Sequence, residues 1–182
     1  MRRTWATIAL AALLTACGGG ELTLSEYASQ AEDLVAEMES QFRSLDRDWE
    51  SQAPSVEGAR TYWDGRLEIR EEFLDGVRAL DPPAAVEDQH AAALDVFARI
   101  TAADEALAER ADTFETITDH WQWVDTPEGR ASDALLQEVF AFCRASQADF
   151  DATKDREAFK DVPWIPSEMT EVVSVAFGCP EE

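Results

Sequence analysis

The sequence has few basic residues: 15 Lys and Arg stand against 38 Asp and Glu, which gives a formal charge of -23. No run of more than two basic residues occurs after Arg3. A nucleic-acid-binding protein needs a basic patch that neutralises phosphates and releases their counterions. The composition therefore predicts that nucleic acid is not a partner.

Catalytic motifs are also missing from the sequence. It contains no G-x-S-x-G nucleophile elbow, no glycine-rich phosphate loop and no Cys/His pair at metal-ligand spacing. The Glu-x-x-His pattern of Glu87–His90 lacks the second copy that a di-iron bundle requires. The stretch Asp149–Thr153 starts like an EF-hand loop, but Lys154 occupies the position of the required glycine. We therefore predict a protein that is not an enzyme and holds no cofactor or metal.

The N-terminal apolar run, Trp5–Leu14, falls well short of the roughly 20 residues that a bilayer-spanning helix needs. It follows two arginines, Arg2 and Arg3, and leads into small residues. This order is typical of a secretory signal peptide. We therefore expect the mature chain to lie outside the cytoplasm.

The segment Leu14–Cys17 reads Leu-Thr-Ala-Cys and resembles the bacterial lipobox. The resemblance implies that residues 1–16 are removed and that Cys17 becomes the first residue, carrying a diacylglycerol and an N-terminal acyl chain such as palmitate. Two or three acyl chains are enough for lasting membrane attachment. Residues 17–22, rich in glycine, would then serve as a flexible tether. The alternative is an ordinary soluble secretory signal with an incidental cysteine.

Residue Gly18 bears on which membrane carries the anchor. In the resembling lipoproteins, an aspartate after the lipidated cysteine marks retention at the inner membrane. Because glycine stands here, the resemblance implies the outer membrane if the source has two membranes. If the source has one membrane, it implies the external face.

Residues 23–182 have the composition and patterning of a single globular domain. Thr23 and Glu26 form a capping-box pattern at its start, and apolar residues then recur at spacings of three and four. Prolines separate the amphipathic stretches. The predicted helices run from Thr23 to about Gln52, from Ala59 to Leu80, from Val86 to about Val124, and from Leu135 to Phe150. We predict an all-α, up-down four-helix bundle.

Two cysteines remain besides Cys17. Cys143 lies in the last predicted helix, and Cys179 lies in a proline-containing C-terminal segment that we expect to be irregular. Outside the cytoplasm, an even pair of cysteines is most simply a disulfide. Closing a loop of about 37 residues would stabilise the fold by roughly 4 kcal/mol. The alternative is two free thiols.

Three tryptophans form the most unusual local feature. Trp121 and Trp123 would point about 200° apart on a helix, so one core stripe cannot hold both. Together with Trp164 they either pack the end of the bundle or form a contact site, where an indole stacks on a glycan or a protein partner. The sequence leaves both interpretations open.

The two histidines are expected to stay apart. His90 and His120 fall about 45 Å from each other on what the pattern predicts to be one helix. They could share a site only if that helix broke. We expect His90 to lie on a capped or solvated helix face after the Pro82–Pro83 turn.

The order of these features is similar to that of a group of uncharacterised bacterial lipoproteins. The resemblance rests on the lipobox, on Leu22–Tyr27, on Leu80-x-Pro-Pro followed by His90, and on the late cysteine pair. It implies a helical fold and an envelope location. We therefore predict a lipid-anchored, non-catalytic binding or structural module with an envelope protein or glycan as partner. The alternative is a ligand-binding or sensory bundle with a small-molecule pocket between helices; the oligomeric state is open.

Overall fold

The computed structural model describes residues 22–152, and within them the regular structure is entirely helical. The all-α prediction is therefore confirmed for this part of the chain. The signal segment, Cys17, Trp164 and Cys179 lie outside the described residues. The α-helices are α1 (Leu24–Glu50), α2 (Val56–Arg78), α3 (Glu87–Asp112), α4 (Ile117–Trp121) and α5 (Pro127–Ala152), and two 3-10 turns occupy Ala84–Val86 and Trp123–Asp125.

The helix count differs from the prediction, since residues 22–152 form five α-helices rather than four. The predicted third helix is wrong beyond Asp112, because a second capping box starts a new helix at Thr116. There the Asp119 carboxylate accepts the backbone N–H groups of Glu115 and Thr116 at 2.9 and 2.7 Å. These hydrogen bonds lower the pKa of Asp119. The chain therefore turns where the apolar pattern alone predicts a continuous helix.

The first capping box is present as predicted. Thr23 Oγ1 accepts the N–H of Glu26 at 3.2 Å, and the Glu26 carboxylate accepts the N–H of Thr23 at 2.9 Å. Hydrogen bonding to Thr23 lowers the pKa of Glu26. At the next connection, Ser55 caps α2 by accepting the N–H of Gly58. Local side-chain bonds thus set where both helices begin.

Helices α1 and α2 pack antiparallel. Leu34 of α1 lies against Gly76 near the end of α2, while Leu45 lies against Gly65 nearer its start. α2 packs on α3, and α5 packs on α3. The larger buried cluster joins α2 and α3 and consists of Ala59, Trp63, Leu107, Ala108, Ala111 and Phe114. A second cluster, at the other end, consists of Val35, Phe73 and Val77.

Two further findings concern the envelope predictions. Cys143 lies half-buried on α5, and since Cys179 is outside the described residues, the disulfide between them stays a prediction. Among residues 22–152, none of the helices combines the length and the apolar character needed to cross a bilayer.

Candidate functional site

The break after α3 carries His120 into the protein interior, where it is buried. The indole Nε1–H of Trp63 donates to His120 Nδ1 over 3.3 Å. An indole nitrogen can only donate, so Nδ1 must be unprotonated. Burial also lowers the pKa of His120. The imidazole is therefore neutral at physiological pH.

Aromatic rings surround His120 at this end of the bundle. Its ring centroid lies 4.7 Å from those of Trp49 and Trp121, and the Trp63 and Trp123 centroids are 5.1 Å apart. Such ring pairs contribute about 0.5–1.5 kcal/mol each beyond their burial. We call this group the aromatic end, which comprises Trp49, Tyr62, Trp63, Phe114, His120, Trp121 and Trp123.

The structure brings Trp121 and Trp123 to the same end but gives them different environments. Trp123 is half-buried and packs on the larger core cluster beside Trp63. Trp121 is 55% exposed, and its ring contacts Trp49 at a centroid distance of 5.9 Å. Helix α4 ends at Trp121, and a 3-10 turn begins at Trp123. The two side chains therefore do not follow the geometry of one continuous helix. Of the three predicted contact residues, Trp121 alone is described as largely exposed.

A surface cleft of about 450 Å³ lies between the end of α1 and the start of α2, beside the aromatic end. Trp49 and Tyr62 form its aromatic wall. Gly58 allows the Trp49 ring to approach α2, since a Cβ there would lie 3.3 Å from that ring. The polar residues that line the cleft are Asp48, Gln52, Ser55, Glu57 and Thr61.

Tyr62 is held in the cleft wall by a neighbouring carboxylate. Its hydroxyl donates to Asp46 Oδ1 over 3.0 Å. Burial raises the pKa of Tyr62, so the phenol stays protonated and able to donate. The wall is therefore fixed in orientation before any ligand arrives.

Sequence reasoning missed a charged cluster in the middle of the bundle. Asp104 is 3% exposed, and its carboxylate lies 3.6 Å from Arg66 and 3.1 Å from Arg70. Both guanidiniums also lie over the Phe42 ring, at 5.2 and 4.6 Å from its centroid. The sequence did contain a signal for this cluster. Asp104 occupies a position in the apolar stripe of α3, and the two arginines are four residues apart on one face of α2.

The two arginines respond differently to this environment. Burial lowers the pKa of each, but Asp104, Tyr62 and Asp46 more than offset this for Arg66, whose pKa is raised. For Arg70, burial outweighs Asp104, and the pKa is lowered. Because the ordinary pKa of arginine lies far above physiological pH, both groups stay charged. The cluster joins α2 to α3 through paired charges, which makes it a structural element.

His90 was predicted to lie on a capped or solvated helix face, and the solvated alternative is wrong. His90 is buried, and its Nδ1 is hydrogen-bonded to the Tyr27 hydroxyl at 2.9 Å. Burial lowers the pKa of His90 and raises that of Tyr27 to about 12. Both groups are therefore neutral, and the pair connects the start of α1 to the start of α3.

The histidines stay apart, although not for the predicted reason. They do not share one helix, since α3 ends at Asp112. His90 contacts Tyr27 and His120 contacts Trp49, and these partners are 22 residues apart on α1, or about 33 Å by helical rise. The two imidazoles therefore occupy opposite ends of the bundle.

The metal-site patterns in the sequence do not converge in space. Within the described part of the chain, no group of three or more His, Cys, Asp or Glu is arranged to hold a metal ion. The backbone of residues 149–152 belongs to α5 and is helical.

Burial of neutral His120 predicts a pH-dependent contribution to stability. In the unfolded chain the imidazole takes up a proton near its ordinary pKa of 6.5, whereas in the folded protein it does so only at lower pH. The stability that neutral His120 contributes is therefore lost as the pH falls below about 6.5. We expect the difference in unfolding free energy between the wild type and His120→Gln to shrink from pH 7.5 to pH 5.

Urea unfolding followed by circular dichroism at several pH values measures that difference. Titration of the many carboxylates is common to both proteins and largely cancels. A difference that stays constant over this pH range would contradict the assignment of His120 as a buried neutral base.

Comparison with known proteins returned no matching family model, no matching curated protein and no matching solved structure.

Proposed function

We propose that this protein is a lipid-anchored helical bundle on the extracytoplasmic side of the bacterial cell envelope, where it acts as a non-catalytic binding module. The lipobox-like Leu14–Cys17 after a short apolar run supports the anchor, with the outer membrane as its place in a two-membrane source. An oxidising compartment would also allow the proposed Cys143–Cys179 disulfide.

The observation that carries the binding role is the exposed indole of Trp121 beside the cleft. Burying a large apolar side chain stabilises a fold by about 1.5–3 kcal/mol, yet this ring remains 55% exposed. Val124, three residues later, is 51% exposed as well. Exposed apolar groups that adjoin a polar-rimmed concavity are typical of contact sites. We therefore place binding of an envelope glycan, protein or small molecule at the aromatic end.

The alternative function is a ligand-binding or sensory bundle, and the same cleft supports it because α1 and α2 both line it. The structure gives less support to a ligand pocket enclosed between the helices. The small space among Tyr27, Val35, Phe73 and Phe97 measures about 10 Å³, which is at the lower limit for a single water and far too small for an organic ligand. Both hypotheses therefore make the aromatic end the surface to test.

Trp121→Ala is expected to weaken ligand binding about fivefold, since Trp121 is exposed and packs on the Trp49 ring of the cleft wall, and tryptophans are enriched among interface residues that cost more than about 1 kcal/mol when removed. The unfolding free energy should change by about 1 kcal/mol or less, because the ring is mainly exposed. Calorimetric titration of the full chain in polyoxyethylene detergent, with peptidoglycan fragments, neutral oligosaccharides and organic amines, measures the binding.

Leu136→Ala is the matched control, since Leu136 is 42% exposed on α5 and is not part of the aromatic end. It should bind like the wild type. If no ligand class binds, or if Trp121→Ala and Leu136→Ala bind equally well, the proposed role of the aromatic end is wrong.

A further inference from the structure

We infer that the ligand of the cleft is a small organic cation, an ammonium compound whose N–H or N-methyl groups lie against the Trp49 ring. This inference rests on the proposed function and assigns a chemical class to the ligand of the same site. It combines three observations: the charge of the lining, its aromatic wall, and the size and openness of the space.

The lining of the cleft carries charge of one sign. Asp48 and Glu57 contribute two carboxylates, and none of the described residues that line it is basic. Within residues 22–152, neither carboxylate takes part in an ion pair. Two unpaired negative charges attract a cation into a concave site more strongly than an exposed single charge would.

Arg60 and Arg66 of α2 are already engaged elsewhere, whereas Arg47, the residue before Asp48 on α1, takes part in no ion pair within residues 22–152. Arg66 pairs with Asp104 in the core. Arg60 donates to the backbone carbonyls of Ala111 and Phe114, at 3.3 and 2.8 Å. These contacts turn both guanidiniums toward α3 and its end. The carboxylates of the cleft therefore remain available to an incoming cation.

The aromatic wall offers a complementary attraction. A cation within about 6 Å of an indole or phenol ring is drawn to the negative face of the ring, and quaternary ammonium groups are bound in this way. The protein uses the same chemistry nearby, since the Arg66 guanidinium lies 5.9 Å from the Tyr62 centroid. The Trp49 ring lines the cleft, and within residues 22–152 no guanidinium or ammonium group lies over it. It is therefore the ring we assign to the ligand.

Size and polarity distinguish this ligand from a glycan. A volume of about 450 Å³ accommodates a small molecule. A neutral sugar could stack on Trp49 and donate hydroxyl hydrogen bonds to Asp48 and Glu57, which are both exposed, but it would gain nothing from their net negative charge. An ammonium compound satisfies the ring and the carboxylates together. An anion would be repelled by the same two groups.

The test is calorimetric titration of the full chain, in polyoxyethylene detergent, with choline, spermidine and neutral tri-N-acetylchitotriose. The informative variant is Asp48→Asn with Glu57→Gln, which keeps side-chain shape and removes both charges. It should weaken association of the cation about tenfold. The control, Asp33→Asn with Glu87→Gln, removes two exposed carboxylates at the opposite end and should change association less than twofold.

The outcomes separate this inference from the proposed function. Cation binding that the cleft variant weakens, that the control retains and that salt diminishes supports the inference. Binding of the neutral sugar without the cation overturns the inference and leaves the binding function standing. Equal loss in both double variants also overturns it, because attraction would then reflect overall charge. Binding of none of the three probes overturns the inference as well.

Discussion

Replacing Asp104 by alanine is expected to lower the free energy of unfolding by about 3–5 kcal/mol. The carboxylate is 3% exposed and neutralises Arg66 and Arg70, which are both largely buried between α2 and α3. Without it, two positive charges would lie close together with no carboxylate in ion-pair contact, in a region of low dielectric constant. Equilibrium urea unfolding followed by far-ultraviolet circular dichroism measures the loss.

The matched control is Asp64→Ala on α2. Asp64 is exposed and takes part in no ion pair within residues 22–152. This variant removes the same charge and should change the unfolding free energy by about 0.5 kcal/mol or less. A loss below 1 kcal/mol for Asp104→Ala would contradict the pairing, and the Phe42 ring would then be the main partner of the guanidiniums.

A triple variant separates two quantities: the net contribution of the charged cluster to the unfolding free energy, and the loss that follows when one of its charges is left unpaired. Arg66→Met, Arg70→Met and Asp104→Leu together replace all three charges by apolar groups of similar size. Because burying ions carries a desolvation penalty, such replacements are often neutral or stabilising by about 1–4 kcal/mol. We expect the triple variant to be near wild-type stability, well above Asp104→Ala. Strong destabilisation of both would instead indicate tight packing that methionine cannot reproduce.

The helix starts that the sequence predicted well are those with local causes. The pattern of Thr23 and Glu26 predicts a capping box, and the hydrogen bonds that fulfil it lie within three residues. The apolar stripes of α1 and α2 are also local patterns, and both helices occur within a few residues of their predicted bounds. Such features depend little on the rest of the fold.

The end of α3 was missed because a weak local signal competed with a strong periodic one. Apolar residues continue at helical spacing past Asp112, and no proline or glycine interrupts them. A capping signal was nevertheless present in Thr116 and Asp119, three residues apart, and it could have been read. The carbonyls left free at the helix end accept hydrogen bonds from the Arg60 guanidinium of α2, a contact between distant residues that no local pattern encodes.

Buried polar pairs were the least predictable part of the site. His90 with Tyr27, and His120 with Trp63, are joined over 63 and 57 residues of sequence. A lone histidine or aspartate in an apolar stripe shows that a buried partner is needed, but not which residue supplies it. The aromatic end was predicted only as Trp121, Trp123 and Trp164, because Trp49 and Tyr62 belong to other helices.

Gly129→Ala is expected to destabilise the protein by about 3 kcal/mol through overpacking. Gly129 is buried at the start of α5, where a Cβ would overlap the carbonyl oxygen of Trp123 and lie 2.9 Å from Val124 Cα. Both are backbone atoms, so no side-chain rotation can relieve the clash. Alanine favours a helix over glycine by only about 1 kcal/mol, which does not offset this.

The clash would also reach the aromatic end, because the start of α5 is bonded to the preceding turn. Thr126 Oγ1 donates to the Trp123 carbonyl at 2.6 Å and accepts the N–H of Gly129 at 3.0 Å. Moving α5 away would break these bonds and displace Trp123 from Trp63. We therefore expect a changed near-ultraviolet circular dichroism signal from the tryptophans, in addition to the lower unfolding free energy.

Gly65→Ala provides the comparison, since its added Cβ would meet only the flexible side chain of Leu45, at 2.9 Å. Leu45 can rotate, and the helix gains from alanine, so the unfolding free energy should change by about 1 kcal/mol or less. If Gly129→Ala were as stable as Gly65→Ala, α5 could not rest on the turn at Trp123 as described. If it lost stability but kept the near-ultraviolet signal, the strain would be confined to α5. Loss of both would show that Gly129, where a Cβ does not fit, determines how the tryptophans of the proposed binding surface are positioned.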